Sequence, residues 1–324
     1  MTRQADPLLV AIAGRFNERV IEQVTAHFPT VLFERADPAL IEPDVAARVR
    51  GLAALCPVGA AFLDALPKLE IVAGSAVGYD TIDVARCVAR GIVVTNTPDV
   101  LTDDVADAAV GLLINTVREL PRAEAWLRGG RWARGEPFPL TRATLRERHV
   151  GIFGMGRIGL AIARRLEPFG VRLSYHNRRP VEGVAYGYHP SLTALAEAVD
   201  TLVCVAPGGA GTWHAIDAAV LKALGRDGVL VNVGRGSTVD EAALIEALRD
   251  GTILAAGLDV FEDEPRVPQA LIDLPNAYLL PHVASATVHT RRIMGDLTFG
   301  NLDAWFRGGR ALTPVPETAH LNKA

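Results

Sequence analysis

Short apolar runs alternate with amphipathic segments along the first third of the chain. Runs such as "LLVAIA", "GLAALC" and "IVVTNT" are almost continuously apolar, and stretches with helical spacing, such as "ERVIEQVTAHF" and "PALIEPDVAARV", lie between them. Continuously apolar strands joined by helices are typical of a parallel sheet that helices cover on both faces. The pattern predicts a first doubly wound domain, which "TNTPD" interrupts at Pro98.

A second alternation begins at "HVGIFG" and runs to "AYLLPHVA", so a second parallel sheet is expected. Before it, "DDVADAAVGLLINTVREL" predicts a long helix, and "RGGRWARGEPFPLTRATLRER" has no clean period and is interpreted as an arm. After it, roughly "TVHTRRIMGDLTFGNLDAWFRG" predicts a closing helix that packs back on the first domain. We therefore predict a discontinuous domain of residues 1–98 and 285–324, interrupted by a domain of residues 99–284.

Composition and charge narrow the function classes. A net charge of -4 leaves no basic surplus for a nucleic acid, so no nucleic-acid partner is expected. Cys56, Cys87 and Cys204 lack the spacing of a metal site and are interpreted as buried thiols in a reducing compartment. The start "MTRQADP" does not resemble a signal peptide, and no apolar run reaches the length of about 18 residues that a membrane span needs. We expect a cytoplasmic protein without a metal or a membrane partner.

A glycine motif follows the first strand of the second alternation. "GIFGMGRIG" places Gly154, Gly156 and Gly159 in the G-x-G-x-x-G pattern between an apolar strand and a helix. This context is typical of dinucleotide binding, in which the glycines permit a tight turn, close approach to a pyrophosphate and close packing of the helix. We predict a cofactor-binding loop formed by Gly154, Met155, Gly156, Arg157, Ile158 and Gly159.

Two arginines follow the next strand, in "YHNRRP". An NAD site usually has an acidic residue here, whereas an NADP site has a neutral residue with nearby arginine. The position is held by His176 and Asn177, followed by Arg178 and Arg179. A guanidinium can bind a 2′-phosphate through paired charge-assisted hydrogen bonds, so the sequence predicts NADPH in preference to NADH. The alternative is that the arginines only solvate a surface loop.

Three later strands of the second alternation are each followed by a residue capable of chemistry. Arg235 follows "LVNVG", Glu264 follows "AAGLDVFED", and His282 follows "YLLP". Ligands of open α/β sheets bind beyond the carboxyl ends of the strands, so the three side chains can converge in one crevice. Each also has an ordinary interpretation, since an arginine between glycines, an acid before proline and a histidine after proline all occur in surface loops.

These segments resemble those of the D-2-hydroxyacid dehydrogenase family, in which an Arg, a Glu before Pro and a His in "PH..SAT" follow the glycine motif in this order. The resemblance covers essentially the whole chain, including "GSAVGYDTID", "TNTP" and "DEAALIEAL". It implies an α/β fold of two doubly wound parallel-sheet domains, with a Rossmann nucleotide-binding domain inserted in a flavodoxin-like substrate domain. "TNTPDVLTDDVAD" and "VAPGG" are most similar to NADPH-preferring glyoxylate/hydroxypyruvate and hydroxyphenylpyruvate reductases.

Reduction of a 2-oxo acid requires a cation for the carboxylate, a proton for the carbonyl oxygen and a positioned cofactor. Arg235 can bind the carboxylate in a bidentate manner and polarise the carbonyl. His282 can supply the proton, because the ordinary pKa of an imidazole, about 6.5, lies close to neutral pH. Glu264 would orient the imidazole and favour its protonated form. These three residues are the predicted catalytic residues.

The resemblance implies further contacts. The backbone amides of Val77 and Gly78 are expected to bind the substrate carboxylate, and Leu55 is expected to flank the substrate side chain. Trp132, in the arm, either reaches the site of a neighbouring subunit or packs at the interface of a homodimer. Residues expected to lie along the nicotinamide, with Asp259 accepting from its carboxamide, are Ala206, Pro207, Val233, Gly234, Asp259, Ala284 and Ser285.

The leading hypothesis is an NADPH-dependent reductase that converts a 2-oxo acid to a D-2-hydroxy acid in a cleft that closes on binding. The alternative is a nicotinamide-nucleotide-sensing binding module, as in the corepressor relatives of this family, which keep the same site residues. The side chain of the substrate is left open, since glyoxylate, hydroxypyruvate and phenylpyruvate differ only beyond the carboxyl and carbonyl groups.

Overall fold

The computed structural model describes residues 8–322, which form two compact units. One unit contains residues 8–101 and 287–322, and the other contains residues 102–286. The boundaries predicted from the sequence, after residues 98 and 284, lie within a few residues of these junctions. No described helix combines the length and apolarity that crossing a bilayer would require.

The strands and helices follow one another in the order that the apolar periodicity predicts. The strands of the described residues are β1 Leu9–Gly14, β2 Thr30–Phe33, β3 Val49–Leu55, β4 Ile71–Gly74, β5 Val93–Thr95, β6 His149–Phe153, β7 Arg172–His176, β8 Gly187–His189, β9 Thr201–Cys204, β10 Val229–Asn232, β11 Ala255–Leu258 and β12 Ala277–Leu279. The α-helices of the same residues are α1 Glu18–His27, α2 Pro43–Ala46, α3 Ala60–Asp64, α4 Val84–Arg90, α5 Thr102–Arg118, α6 Leu120–Arg128, α7 Arg157–Leu166, α8 Leu192–Ala198, α9 Ala218–Leu224, α10 Glu241–Arg249, α11 Gln269–Ile272 and α12 Val288–Gly308.

The first unit is built on a parallel sheet with the strand order β2-β1-β3-β4-β5. Both faces of the sheet are buried. On β1, Ala11 packs in a core with Phe62 and Cys87, whereas Ile12 packs on the opposite face with Leu302. Because side chains alternate across a strand, one apolar run supplies both cores. This is the doubly wound arrangement that the first alternation predicts.

The closing helix α12 belongs to this unit, as the sequence predicts. It packs against α1, β3 and β4. Phe299 and Phe306 contact the ring of Phe28, and Asp296 pairs with Arg19 of α1 at 2.9 Å. The helix therefore returns the chain to the first sheet after the second unit is complete.

The second unit has a parallel sheet with the order β12-β11-β10-β9-β6-β7-β8. The strand order reverses between β6 and its neighbour β9, and such a switch point is where open α/β sheets bind ligands. Helices α8, α9 and α10 supply the core on one face, and α5 and α7 pack on the other. The predicted fold class, two doubly wound parallel α/β domains, is confirmed.

The local structure differs from the periodicity in three places. "PALIEPDVAARV" forms only a 3₁₀ turn and the short α2, because Pro38 and Pro43 each begin a new helical turn. The long helix of "DDVADAAVGLLINTVREL" ends at Arg118, since Glu119 adopts a left-handed conformation with φ of 52° before α6. Strand β8, which the sequence did not indicate, pairs at the edge of the second sheet beside β7.

Candidate active site

The glycine loop joins β6 to α7 at the switch point of the second sheet. Gly154 has φ of 104°, and a Cβ atom built on it would lie 2.7 Å from the backbone nitrogen of Ala206. At Gly159, a Cβ atom would overlap the carbonyl oxygen of Gly154. Both positions therefore require glycine, one for its backbone conformation and one for the approach of α7 to the loop.

A cavity of about 1060 Å³ opens in front of this loop. Its volume is at the upper end of the range that is usual for cofactor sites. Predicted cofactor residues among those that line it are Gly154, Gly156, Asn177, Arg178, Arg179, Ala206 and Pro207. Lining residues that were not predicted to bind the cofactor are Phe153, His176, Leu192, Val205, Gly208, Gly211, Thr212 and Ala215. The glycines of "APGGAGT" indicate a loop here, but the residues after Pro207 were not predicted to bind the cofactor.

Asn177, which directly follows β7, bonds to the glycine loop. Its Oδ1 accepts from the amide of Met155 at 2.6 Å, and its Nδ2 donates to the carbonyl of Met155 at 3.2 Å. Arg178 and Arg179 are exposed at the edge of the cavity. No aspartate or glutamate is among the described residues that line it. The cavity thus offers positive charge, and no competing carboxylate, at the position where NAD and NADP sites differ.

The other predicted cofactor residues lie in several parts of the second unit. Met155 is buried, and Arg157, Ile158 and Gly159 form the first turn of α7. Gly234 follows β10 and donates its amide to Oδ1 of Asn232 at 3.0 Å. Val233, Ala284 and Ser285 are buried outside the cavity lining. Their contact with a nicotinamide stays a prediction.

His282 and Glu264 form a hydrogen-bonded pair in the second unit. Nδ1 of His282 lies 2.7 Å from Oε2 of Glu264, and the side chains are 47% and 34% exposed. Strand β12 leads into His282, and β11 leads into the loop that carries Glu264, so the two residues meet beyond neighbouring strands. With Nδ1 bonded to the carboxylate, Nε2 is the ring nitrogen left to act on a ligand.

The charge state of Glu264 is set by opposing effects. Burial raises the pKa of its carboxyl, but the hydrogen bonds from His282 and from the amide of Phe261 lower it. The charges of His282 and Arg235 lower it further, and the net shift is downward. Glu264 is therefore held as a carboxylate that can orient the imidazole and stabilise positive charge on it.

The loop that carries Glu264 is fixed by a buried acid on α10. Glu241 accepts the amide of Glu262 on Oε1 at 2.7 Å, and burial raises the pKa of the Glu241 carboxyl. Nε2 of His214 contacts Oε1 of Glu262 at 2.9 Å. Within the same loop, the amide of Phe261 donates to Oε1 of Glu264 at 3.0 Å. Glu264 thus presents Oε2 to His282 from a tethered backbone.

Asp259, which directly follows β11, holds the backbone around His282. Its carbonyl accepts the amide of His282 at 2.9 Å, and its carboxylate accepts the amides of Val283 at 2.7 Å and Ala284 at 2.9 Å. Burial raises the pKa of the Asp259 carboxyl, although these amide bonds oppose the shift. His282 itself has φ of 53°, which is an unfavourable backbone conformation for a residue other than glycine. The hydrogen bonds to Asp259 stabilise this conformation. The predicted bond from a carboxamide to Asp259 stays a prediction.

Arg235 follows β10 and precedes a 3₁₀ turn at Gly236–Thr238. Its backbone carbonyl accepts from Nδ2 of Asn232 at 2.9 Å and from the hydroxyl of Thr238 at 2.6 Å, and its Nη1 donates to the carbonyl of Gly234 at 2.9 Å. Its positive charge contributes to lowering the pKa of the Glu264 carboxyl, after the larger effects of His282 and of the Phe261 amide. The structure therefore gathers the three predicted catalytic residues at the carboxyl ends of β10, β11 and β12.

Three predicted substrate residues belong to the first unit. Leu55 ends β3, and Val77 and Gly78 lie in the loop after β4. Their contact with a substrate stays a prediction. Trp132 lies in the arm of the second unit, in a 3₁₀ turn at Trp132–Arg134, and is 67% exposed.

Comparison with known proteins gives consistent matches. A family model described as the NAD-binding domain of the D-isomer-specific 2-hydroxyacid dehydrogenases matches residues 110–284. A glyoxylate/hydroxypyruvate reductase of Arabidopsis thaliana is 50% identical over 250 residues, which cover 77% of this chain and 79% of that protein. A hydroxyphenylpyruvate reductase of Plectranthus scutellarioides is 49% identical over 256 residues, 79% of this chain and 81% of that protein.

A solved structure is similar over nearly the full length. An NADPH-dependent glyoxylate/hydroxypyruvate reductase of Sinorhizobium meliloti, in complex with NADP and malonate, has 58% sequence identity and a TM-score of 0.94. The match covers 97% of this chain and 98% of that one.

Proposed function

The chain belongs to the D-isomer-specific 2-hydroxyacid dehydrogenase family, and from that premise we propose that it reduces a 2-oxo acid to the D-2-hydroxy acid with NADPH. The hydrogen-bonded pair of His282 and Glu264 carries the proposal, because it is a proton donor with its orienting carboxylate in place. Substrates of the hydroxypyruvate, glyoxylate or phenylpyruvate type fit this chemistry, and relatives named for such reductases support the choice.

The residues around the glycine loop fit a phosphorylated dinucleotide. Gly154 and Gly156 allow a pyrophosphate to approach the backbone at the N-terminus of α7. Arg178 and Arg179 would bind the 2′-phosphate, and the described lining residues include no carboxylate that would repel it. When bound, NADPH would supply the hydride that the carbonyl carbon accepts.

The side chains of the chain itself provide the remaining parts of the reaction. Arg235 would pair with the substrate carboxylate and withdraw electron density from the carbonyl. His282 would donate a proton from Nε2 to the carbonyl oxygen, while Glu264 stabilises the charged imidazole before the transfer. In the oxidative direction His282 would accept the proton that the hydroxyl group releases.

A spectrophotometric assay tests the proposal. Purified protein is supplied with hydroxypyruvate, glyoxylate or phenylpyruvate, each with NADPH and with NADH. We expect turnover with NADPH well above that with NADH, and the best oxo acid then defines the subgroup. If nucleotide binds but no pair of substrates is turned over, the reductase is refuted and a nucleotide-sensing binding module, as in the corepressor relatives, becomes the better hypothesis.

We also propose that the protein forms a homodimer through its arm. Trp126 donates Nε1 to the carbonyl of Glu136 at 3.0 Å, and its ring packs edge-on against Phe138, so the arm is an ordered segment. Trp132 is nevertheless 67% exposed and Leu140 97% exposed. Two large apolar side chains that are exposed on one short segment favour an interface there. Sedimentation of Leu140→Asp against the wild type tests this, and an unchanged mass would contradict it.

A reducing, cytoplasmic compartment is proposed on the state of the cysteines. Cys87 and Cys204 are buried free thiols, and Cys56 is a partly buried one. Such thiols are typical of proteins that function without disulfides. Fractionation of cells that express the tagged protein tests the compartment.

A further inference from the structure

Two consecutive carbonyl groups after β4 are bound by the segment that follows β5. The amide of Thr97 donates to the carbonyl of Ala76 at 2.9 Å. Nδ2 of Asn96 donates to the carbonyl of Val77 at 2.8 Å. The loop that contains Val77 and Gly78 is therefore attached by two hydrogen bonds, one from backbone and one from a side chain.

These two bonds fix the directions of two amide N–H groups. In a trans peptide the carbonyl and the following N–H lie in one plane and point in opposite directions. The Ala76 carbonyl shares its peptide with the amide of Val77, and the Val77 carbonyl shares its peptide with the amide of Gly78. Both N–H groups therefore point away from Asn96 and Thr97. Among the described residues, neither N–H has a hydrogen-bond acceptor.

Asn96 is itself held by the C-terminal part of the first unit. Its amide donates to the carbonyl of Thr313 at 3.3 Å, and the hydroxyl of Thr313 donates to its carbonyl at 2.6 Å. The Thr313 hydroxyl in turn accepts from Nδ2 of Asn301 at 2.9 Å. Asn301 is 1% exposed on α12 and accepts the amides of Leu312 and Thr313 on Oδ1. These hydrogen bonds hold the backbone of Asn96 in place, and with it the side chain that bonds to Val77.

We propose that Asn96 is a positioning residue, which turns the amides of Val77 and Gly78 toward one anion and so prepares the loop to bind the substrate carboxylate. This inference rests on the proposed function and on the predicted contact of those two amides with the substrate carboxylate. Two parallel N–H groups form a small anion-binding concavity, provided that their peptides cannot rotate. Without the Asn96 side chain, the peptide that joins Val77 to Gly78 would lose the bond that holds its orientation.

The test compares Asn96→Ala and Asn96→Asp with the wild type in the full-length protein. Loss of one orienting hydrogen bond should raise the KM for a 2-oxo acid by about tenfold and change kcat much less. Asn96→Asp should have the larger effect, because its carboxylate oxygen would face the Val77 carbonyl and repel it. It keeps the shape of the side chain, so it also serves if Asn96→Ala does not fold. The KM for NADPH should not change.

Two further measurements separate positioning from general loss of structure. The carboxylate is common to all 2-oxo acids, so the increase in KM should be equal for glyoxylate and phenylpyruvate, and inhibition by oxalate should weaken in parallel. Thr318→Val is the matched control, because the buried Thr318 hydroxyl bonds to the backbone of Val94 in β5, the strand that precedes Asn96, and not to the loop. It should lower the Tm without raising the KM.

Different results refute different parts of the reasoning. If the wild type turns over no 2-oxo acid, the proposed function fails. If the wild type is active and both Asn96 variants keep its KM, only the positioning role fails. An increase in KM that Thr318→Val reproduces, or one that differs between glyoxylate and phenylpyruvate, would also overturn the inference, because neither is expected from a loop that binds the common carboxylate.

Discussion

Replacing Glu264 by glutamine tests the acid–base assignment most directly. The substitution keeps the size of the side chain and can keep a hydrogen bond to His282, but it removes the negative charge 2.7 Å from the ring nitrogen. We expect the amide to leave the imidazole oriented but to stabilise its protonated form less. The value of kcat/KM should therefore fall.

The magnitude follows from the contact and its exposure. A hydrogen bond between charged groups contributes about 1.5–3 kcal/mol. Water screens this pair, since the side chains of His282 and Glu264 are 47% and 34% exposed, so the lower end of the range applies. A loss of about 1.5 kcal/mol in the transition state corresponds to about a tenfold lower kcat/KM.

The assay measures NADPH oxidation with the best 2-oxo acid across the pH range, together with NADPH affinity. Asp263→Asn is the matched control, because it removes one negative charge from the adjacent residue, which pairs with Arg266 at 2.7 Å. Wild-type rates and pH profile for Glu264→Gln would refute the role of the carboxylate. So would an equal change in Asp263→Asn, since the effect would then come from the general charge of the loop.

Other outcomes follow from the same structure. His282→Ala should lower kcat by about 10²–10⁴-fold with unchanged NADPH affinity, and turnover near that of the wild type would remove it from the acid role. Arg178→Ala should raise the KM for NADPH and not for NADH, whereas equal changes would make it an ordinary surface residue. Gly154→Ala should abolish NADPH binding measured by fluorescence, because the added Cβ would lie 2.7 Å from the Ala206 nitrogen at φ of 104°, and normal binding would contradict this. Burial raises the pKa of Cys87 to about 12 and of Cys204 to about 11, so thiolate is scarce at pH 8 and both should react with a thiol reagent only after unfolding.

The sequence was most informative where one pattern implies one local structure. Near-continuous apolar runs between helical segments required parallel sheets covered on both faces, and both sheets were confirmed. The sequence was less informative about the length of short helices and the presence of short edge strands. Pro38 and Pro43 shortened a predicted helix, and β8 was not foreseen, because an edge strand of three residues depends on pairing with β7 and not on its own periodicity.

For the site, the sequence alone determined which residues are chemically capable and the order of the strands that carry them. Gly154, Arg235, Glu264 and His282 could be named because each directly follows an apolar strand, or closes the loop after one, and strand ends meet at one edge of a parallel sheet. The sequence could not show which acid of this loop contacts His282, because Glu264 and the two acids before it share one loop. In the structure, Glu264 makes the contact.

Only the tertiary structure decided which polar atoms face each other. It showed that Asn177 bonds to the glycine loop, that Asp259 holds the backbone beside His282, and that Asn96 fixes the carbonyl of Val77. Each of these contacts joins segments at least 19 residues apart. Periodicity is a property of neighbours along the chain, whereas a hydrogen bond between distant loops depends on how whole sheets and helices pack. The sequence by itself therefore determined the two sheets and the candidate chemistry, and packing decided the geometry that makes the chemistry possible.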